Sequence, residues 1–563
     1  MSRNVMQEPR NYYYLLRLVA LAAVAVLLAT IIYPLVVLIL YSLGMSFNGI
    51  SISGLAYQQT LTDVKTISSI YNTFYVAGGV SVLAIILGGG LAWMLTRTDL
   101  PWKGLIRWLV FLAFIIPSYI MAVSWIELLG RNGYVNRWLY NTWHWLEQPI
   151  DIYNLEGIIL VMTIHMFPLV FLTLCSALRM NDMSLEKAAR LSGAGPLKTM
   201  LTVSLPLILP SILSIGLLVF QHTMACFGVA AVIGLPTGNY ILTTRIYSAL
   251  NQLDLPVATA SSIVLLLCSG VVFLAYNWSL RKKKYINVSS HSQPPEVHSL
   301  GKWRIPVVII VLATLSVTTV VPLGTIVISS FLKQWGMDLN MASLTLENYR
   351  AIFANDGLGL RAIRNSIIFG IAAASVASII GVIVAWIANR TSVKGRKLME
   401  FTATWPVAVP GTVLAVAAIL AWINPPLKLY GTPWILVITY IAACLPFAVR
   451  SVSGPLQGID LSLEHSARIA GASPGRAFWD ISLPVITPNI RNGWIMSFLL
   501  VLREIPISIL LYTTGFETIG VLLFNMRSDT GGLETVSAIA VIVIVITLIG
   551  NLLIEKVGKS RME

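Results

Sequence analysis

Few residues in this chain have types and positions suited to chemistry. Arg503 and Glu504 sit side by side in the apolar run L-R-E-I-P-I-S-I-L-L-Y. A charge in such a run is costly, so it marks an ion pair, a helix-packing anchor or a contact in a solute path. Glu127, His165 and His222 also fall in or near apolar runs; a lone histidine there reads as hydrogen-bonded packing rather than a ligand. Cys175, Cys226, Cys268 and Cys444 all lie in apolar segments, which gives neither a disulfide framework nor metal-ligand spacing. The tail V-G-K-S at Val557–Ser560 has the end of a phosphate-binding loop, but Leu553 stands where its first glycine is required. With no nucleotide loop, metal set or nucleophile–base pair, the chain is expected not to be an enzyme.

The polar chemistry is concentrated instead in a stretch that occurs twice. Ser184–Pro210 reads S-L-E-K-A-A-R-L-S-G-A-G-P-L-K-T-M-L-T-V-S-L-P-L-I-L-P, and Ser462–Pro488 reads S-L-E-H-S-A-R-I-A-G-A-S-P-G-R-A-F-W-D-I-S-L-P-V-I-T-P. Glu186 and Glu464, Gly193 and Gly471, and Pro206 and Pro484 are each 278 residues apart. Fixed register inside an apolar chain is a repeat signature. Each copy reads as two short helices around a corner. Ser184 or Ser462 is placed to cap the first helix, with Glu186 or Glu464 in its first turn, where the dipole favours an anion. Gly193 or Gly471 is suited to a left-handed ending, and Pro196 or Pro474 to the start of the second helix, with Ser473 as its cap in the later copy.

The pattern E-x-x-A-x-x-x-G-A-x-P followed by S-L-P-x-x-x-P resembles the EAA loop of permease subunits of bacterial ABC importers. The duplicated form and its flanks are most similar to the ferric-iron type. The copies depart from the usual Ala-Ala at His465-Ser466 and carry Lys187 in the first. The resemblance implies a type I importer permease fold and a function as the membrane subunit of an ATP-driven, binding-protein-dependent importer, with ferric iron as solute. It also implies that coupling loops 184–200 and 462–478 dock on two copies of an ATPase subunit, which uses ATP and Mg; no cofactor is expected in this chain. An extracytoplasmic solute-binding protein would deliver the solute. Coupling is expected to rest on Glu186, Ala189, Gly193, Ala194, Glu464, Ala467, Gly471 and Ala472, the glutamates setting the helix start and the small residues allowing close approach. Arg503 and Glu504 are candidates for the translocation path, and no metal site is expected. At the register of this pair the first half has A-C-F-G, Ala225–Gly228, so the halves differ there. Other solutes compatible with the architecture are organophosphonates, sugar phosphates, thiamine and polyamines. A secondary transporter with parallel repeats is a rival, but it needs membrane-embedded acids or histidines as a relay, and these are scarce.

The elements that must carry these loops are membrane spans. Of 563 residues, 56% are hydrophobic and 11% charged, where a soluble domain has about 25% charged. Twelve runs approach the roughly 20 residues that cross a bilayer: 18–43, 70–95, 105–129, 155–178, 205–234 and 257–280, then 304–331, 363–389, 397–423, 432–451, 484–513 and 535–555. The expected fold is an all-α polytopic membrane protein of two parallel six-helix repeats, 1–280 and 304–563, joined by a linker at 281–303. The net charge of +14 does not point to nucleic acid, because its basic residues fall in alternate loops. By the positive-inside bias both termini, the linker and both EAA-like loops are cytoplasmic, in a bacterial inner membrane. The first span follows a short basic tail without a small-residue cleavage site, and is expected to be retained.

The repeat extends beyond the loops at a second offset. Asn72 and Asn365, Arg97 and Arg390 (in A-W-M-L-T-R-T and A-W-I-A-N-R-T), and Pro117 and Pro410 are each 293 residues apart. Trp138, Trp143 and Trp145 suit an interface belt or a receptor contact. Gly88-Gly89-Gly90 reads as close helix packing.

Overall fold

A computed structural model describes residues 10–559 except 47–48, 51–53, 143–147, 181–183, 282–296, 338–339, 355–356, 426 and 529–531. Trp143, Trp145 and the Pro294-Pro295 part of the linker lie outside the described residues. Among the described residues the architecture is all-α apart from one antiparallel pair of two-residue strands, Met45–Ser46 and Gly49–Ile50. Helices dominate because an apolar segment in lipid must satisfy its own N–H and C=O groups. Among the described residues, ten helices are long and apolar enough to cross a membrane, or up to twelve if each of two bent pairs forms one span.

Those bent pairs are Lys103–Ile115 with Ser118–Tyr140, at 100°, and Arg396–Ala408 with Gly411–Trp422, at 113°. The repeated prolines explain both bends. A proline disfavours helical backbone in the residue before it, and Ile116 and Val409 are extended, with ψ of 121° and 118°. Two expected spans are corrected. The runs 205–234 and 484–513 are not continuous helices, because Leu205–Ala225 ends before Gly228–Gly234 and Leu483–Arg503 ends before Pro506–Leu511. Continuous hydrophobicity conceals such breaks, since lipid-like composition continues through them.

Among the described residues, the longest unbroken helix of each repeat is Val64–Arg97 in the first and Leu358–Arg390 in the second. Each packs on the helix that precedes an EAA-like loop, Leu155–Met180 or Pro433–Gly458. The approach is backbone-close. A Cβ added at Gly88 would lie 2.6 Å from the Phe167 carbonyl oxygen, and one at Gly381 would lie 2.8 Å from the Ala448 Cβ. Gly88 and Gly381 are also 293 residues apart. Packing by this glycine run therefore rests on Gly88, while a Cβ at Gly90 would meet nothing within 4 Å.

The chain divides into two compact units that cut across the sequence halves. One is Tyr57–Arg350 with Met526–Ile544; the other is Met1–Ala56, Ala351–Asn525 and Val545–Glu563. Within the second unit, the Tyr33 hydroxyl donates to the Ala421 carbonyl at 3.2 Å, and its ring lies 5.2 Å from that of Trp422. Within the first, buried Glu127 accepts from Ser329 at 2.7 Å and from Ser537 at 2.6 Å. Glu127 is thus a hydroxyl-bonded anchor. His222 is exposed on its helix and bonds locally to the Leu218 backbone.

Candidate coupling site

Both EAA-like loops form the expected helix–corner–helix. The first comprises Ser184–Leu191 and Pro196–Thr199, and the second Leu461–Ile469 and Pro474–Ala477. Gly193 and Gly471 make the corners at φ of 82° and 93°. The turns close when Ala194 N–H donates to Ala189 C=O and Ala472 N–H to Ala467 C=O, both at 3.0 Å. This six-to-one bond satisfies a carbonyl left over at the helix end. Ala189, Ala194, Ala467 and Ala472 thus build the corner through their backbones. Neither corner glycine is crowded within the chain, so backbone conformation, not space, requires it here.

Ser473 caps the second short helix, accepting from Arg476 N–H at 3.3 Å. The cap of Leu461–Ile469 is Asp460, which accepts from Ser462 N–H at 2.9 Å. Ser462 is therefore not the cap. The side chain of Ser184 lies outside the described residues.

The glutamates do more than mark a helix start. Glu186 is buried and pairs with Arg97 at 3.0 Å, while the Ser204 hydroxyl donates to the same oxygen at 2.9 Å. Arg97 also donates to the Leu178 carbonyl at 2.9 Å. The second repeat has the same set. Glu464 pairs with Arg390 at 3.2 Å and accepts from the Ser482 hydroxyl, and Arg390 donates to the Leu456 carbonyl at 2.7 Å. Each arginine ends a long unbroken helix, so the first helix of each loop is fastened to it by an ion pair, buried in the first repeat and half-buried in the second. Sequence reasoning missed these four partners, Arg97, Ser204, Arg390 and Ser482. All stood in repeated motifs, but at two different offsets, and nothing in one sequence joins the two registers.

Outward, the loops present Leu185 and Leu191 in one copy and Leu463 and Ile469 in the other, with Leu191 91% and Ile469 75% exposed. Single exposed apolar residues are ordinary; here the same two positions are exposed in both copies. Beside the first loop, residues 97–99 also hold the far end of the linker. His298 N–H donates to Arg97 C=O at 2.8 Å, Asp99 N–H to His298 C=O at 3.0 Å, and Leu300 N–H to Asp99 Oδ1 at 2.9 Å. Ser392 occupies the register of Asp99 in the second repeat.

Arg503 is the last residue of the helix Leu483–Arg503, and Glu504 is its C-cap. Glu504 Oε1 accepts from Ile507 N–H at 3.0 Å, and among the described residues no ion pair joins it to Arg503. Of the three readings of this pair, the ion pair is thus excluded: the carboxylate turns toward the next short helix. Gly411, just after the Pro410 bend, approaches the same oxygen, where an added Cβ would lie 3.0 Å away. Two broken segments therefore converge on Glu504. In the first repeat Cys226 holds this register, and its carbonyl accepts from Thr243 at 2.9 Å as that of Glu504 accepts from Ser508 at 2.7 Å.

Residues 81–284 and 377–561 each match the family described as binding-protein-dependent transport system inner membrane component. The chain belongs to this family. It is a multi-pass inner-membrane permease of an ABC importer, a class that works with an ATPase and a solute-binding protein. A ferric transport system permease protein of Actinobacillus pleuropneumoniae is 26% identical over 89% of this permease and 72% of that protein. A putative ferric transport system permease of Haemophilus influenzae is 27% identical over 86% and 76%. A putative 2-aminoethylphosphonate transport system permease of Salmonella typhimurium is 26% identical over 42% of this chain and 88% of its own.

Proposed function

We propose that this permease imports ferric iron, with two copies of an ATPase subunit docked on the loops at 184–200 and 462–478. The observation that supports docking is the duplicated corner, held in both copies by an Arg–Glu pair and displaying exposed apolar residues at matching positions. The partner hydrolyses ATP with Mg, and a binding protein supplies the solute from outside. Both termini and the linker are cytoplasmic, a reading supported by the distribution of Lys and Arg. Glu504, at the meeting of two broken segments, faces the translocation path with Arg503. The ferric reading is supported by two similar permeases that span most of the chain.

An organophosphonate is the second reading, favoured by likeness to a phosphonate permease over less of the chain. Proteoliposomes containing the permease, its ATPase and its binding protein decide between them. Uptake of ferric iron, with none of 2-aminoethylphosphonate, supports the first reading; the reverse overturns it.

A further inference from the structure

The two longest helices, Val64–Arg97 and Leu358–Arg390, are each gripped at both ends. The helix Val64–Arg97 has 34 residues, about 50 Å at 1.5 Å per residue. Near its start, Asn72 donates to the Tyr240 carbonyl at 2.9 Å, and the Thr73 hydroxyl accepts from Leu242 N–H at 2.8 Å. Asp63, just before it, pairs with Arg245 at 2.9 Å. Residues 240–245 are the chain that returns from the broken segment at Cys226. In the second repeat, Asn365 donates to Gly515 and Glu517 carbonyls at 3.1 and 3.0 Å, and the Ser366 hydroxyl accepts from Ile519 N–H at 2.8 Å. Residues 515–519 likewise return from the broken segment at Glu504.

The far ends carry Arg97 and Arg390, which hold Glu186 and Glu464. Neither helix contains a proline, and neither is interrupted by a π-turn. The neighbouring route, Met200–Ala225, contains both a π-turn at Met200–Ser204 and Pro210. A bent or locally unwound helix absorbs displacement at its break; a continuous one carries displacement to its end.

We propose that Arg97 and Arg390 are positioning residues for energy coupling, each transferring movement between a coupling helix and the chain returning from a broken span through one continuous helix. This rests on the importer reading. It goes beyond that reading by naming the two side chains through which ATPase movement reaches the opposite end of the permease. The guanidinium suits the task because it holds a carboxylate and a backbone carbonyl together in a fixed fork. A lysine preserves the charge but not that geometry.

The test uses the full permease co-purified with its ATPase in nanodiscs. The four native cysteines are replaced, and single reporter cysteines are placed at exposed Thr237 and Thr514. Maleimide labelling rates are read with and without ATP plus vanadate. The expected result is a change of at least threefold at both reporters in the parent. Arg97→Lys loses the change at residue 237 and Arg390→Lys loses it at residue 514, with the ATPase still bound. Exchange of charges in Arg97→Glu/Glu186→Arg restores part of the response. Full responses in both lysine variants overturn the proposal, as does an unresponsive parent with bound ATPase. Loss of the ATPase from the lysine variants alone also overturns it, by showing an anchor needed for assembly. A parent that never binds the ATPase refutes the docking model itself.

Discussion

At Glu186 and Glu464, a side chain in a surface loop is turned inward, and that changes what its removal should do. Arg97 and Glu186 have side chains only 1% and 4% exposed, and removing one partner of a buried pair costs about 3–5 kcal/mol. Arg97→Ala should therefore lower thermal stability in detergent strongly, while Arg97→Met combined with Glu186→Leu should recover part of the loss. A double mutant no more stable than Arg97→Ala would refute this. The corner glycines should behave differently, since a left-handed backbone costs a non-glycine residue about 1–2 kcal/mol. Replacing Gly193 and Gly471 together with valine should abolish solute-stimulated ATP hydrolysis while the protein still reaches the membrane; normal stimulation would exclude the coupling role. Asp63 supplies a pH effect. Burial raises its carboxyl, but the Thr66 hydroxyl, Arg245 and the Lys65 N–H outweigh that and hold it below 3.8. A lowered folded pKa stabilises the fold above the unfolded value and loses that contribution as pH falls. In melting curves, the advantage of Asp63 over Asp63→Asn should be full near pH 6 and shrink below 3.8. An Asp63→Asn variant as stable as the parent near pH 6 would contradict the pairing. At this scale the sequence was readable where a residue acts on its own backbone, as at Gly193 or Ser473. It was silent where two distant segments share a charge, as at Arg97 and Glu186.

Among the helices, small residues decide what can move past what. A leucine at Gly88 or Gly381 must push aside neighbouring backbone or an alanine at the packing face, and overpacking costs about 1–3 kcal/mol. Alanine at Gly90 meets open space and should be neutral or stabilising by up to about 1 kcal/mol. Equal losses at Gly88→Leu and Gly90→Ala in a thermal assay would mean the close approach is misplaced. Glu504→Gln retains an oxygen for the Ile507 N–H, so stability should stay within about 0.5 kcal/mol of the parent, the range of an unremarkable substitution. Uptake should nevertheless fall, and a stable variant with full uptake would remove Glu504 from the path. Pro117 and Pro410 announced two bends by their chemistry, although inside apolar runs they read as span interior. The breaks at Cys226 and Glu504 had no such marker: only Pro506 stands nearby, and in the first repeat no proline accompanies the break.

For the whole molecule, repeat and compact unit are different objects. Repetition was legible because register survives in sequence. Compactness was not, because nothing in residues 10–42 states that their partner is the second repeat's core. The cytoplasmic placement of the linker has a direct check: a cysteine at Ser290 should resist an impermeant maleimide added outside intact cells and react once the membrane is opened. Labelling from outside would reverse the orientation. The exchanged packing also imposes a schedule on biosynthesis. Tyr33 and the carbonyl it meets are separated by 388 positions. At about 5–20 residues per second, that interval takes roughly 20–80 s of translation. Through that time the earliest helix has been made but its docking surface has not, so the surrounding lipid must shelter it alone. Ribosomes halted before codon 421 should therefore leave this helix far more open to protease or crosslinker than ribosomes halted after it, however complete the first repeat has become.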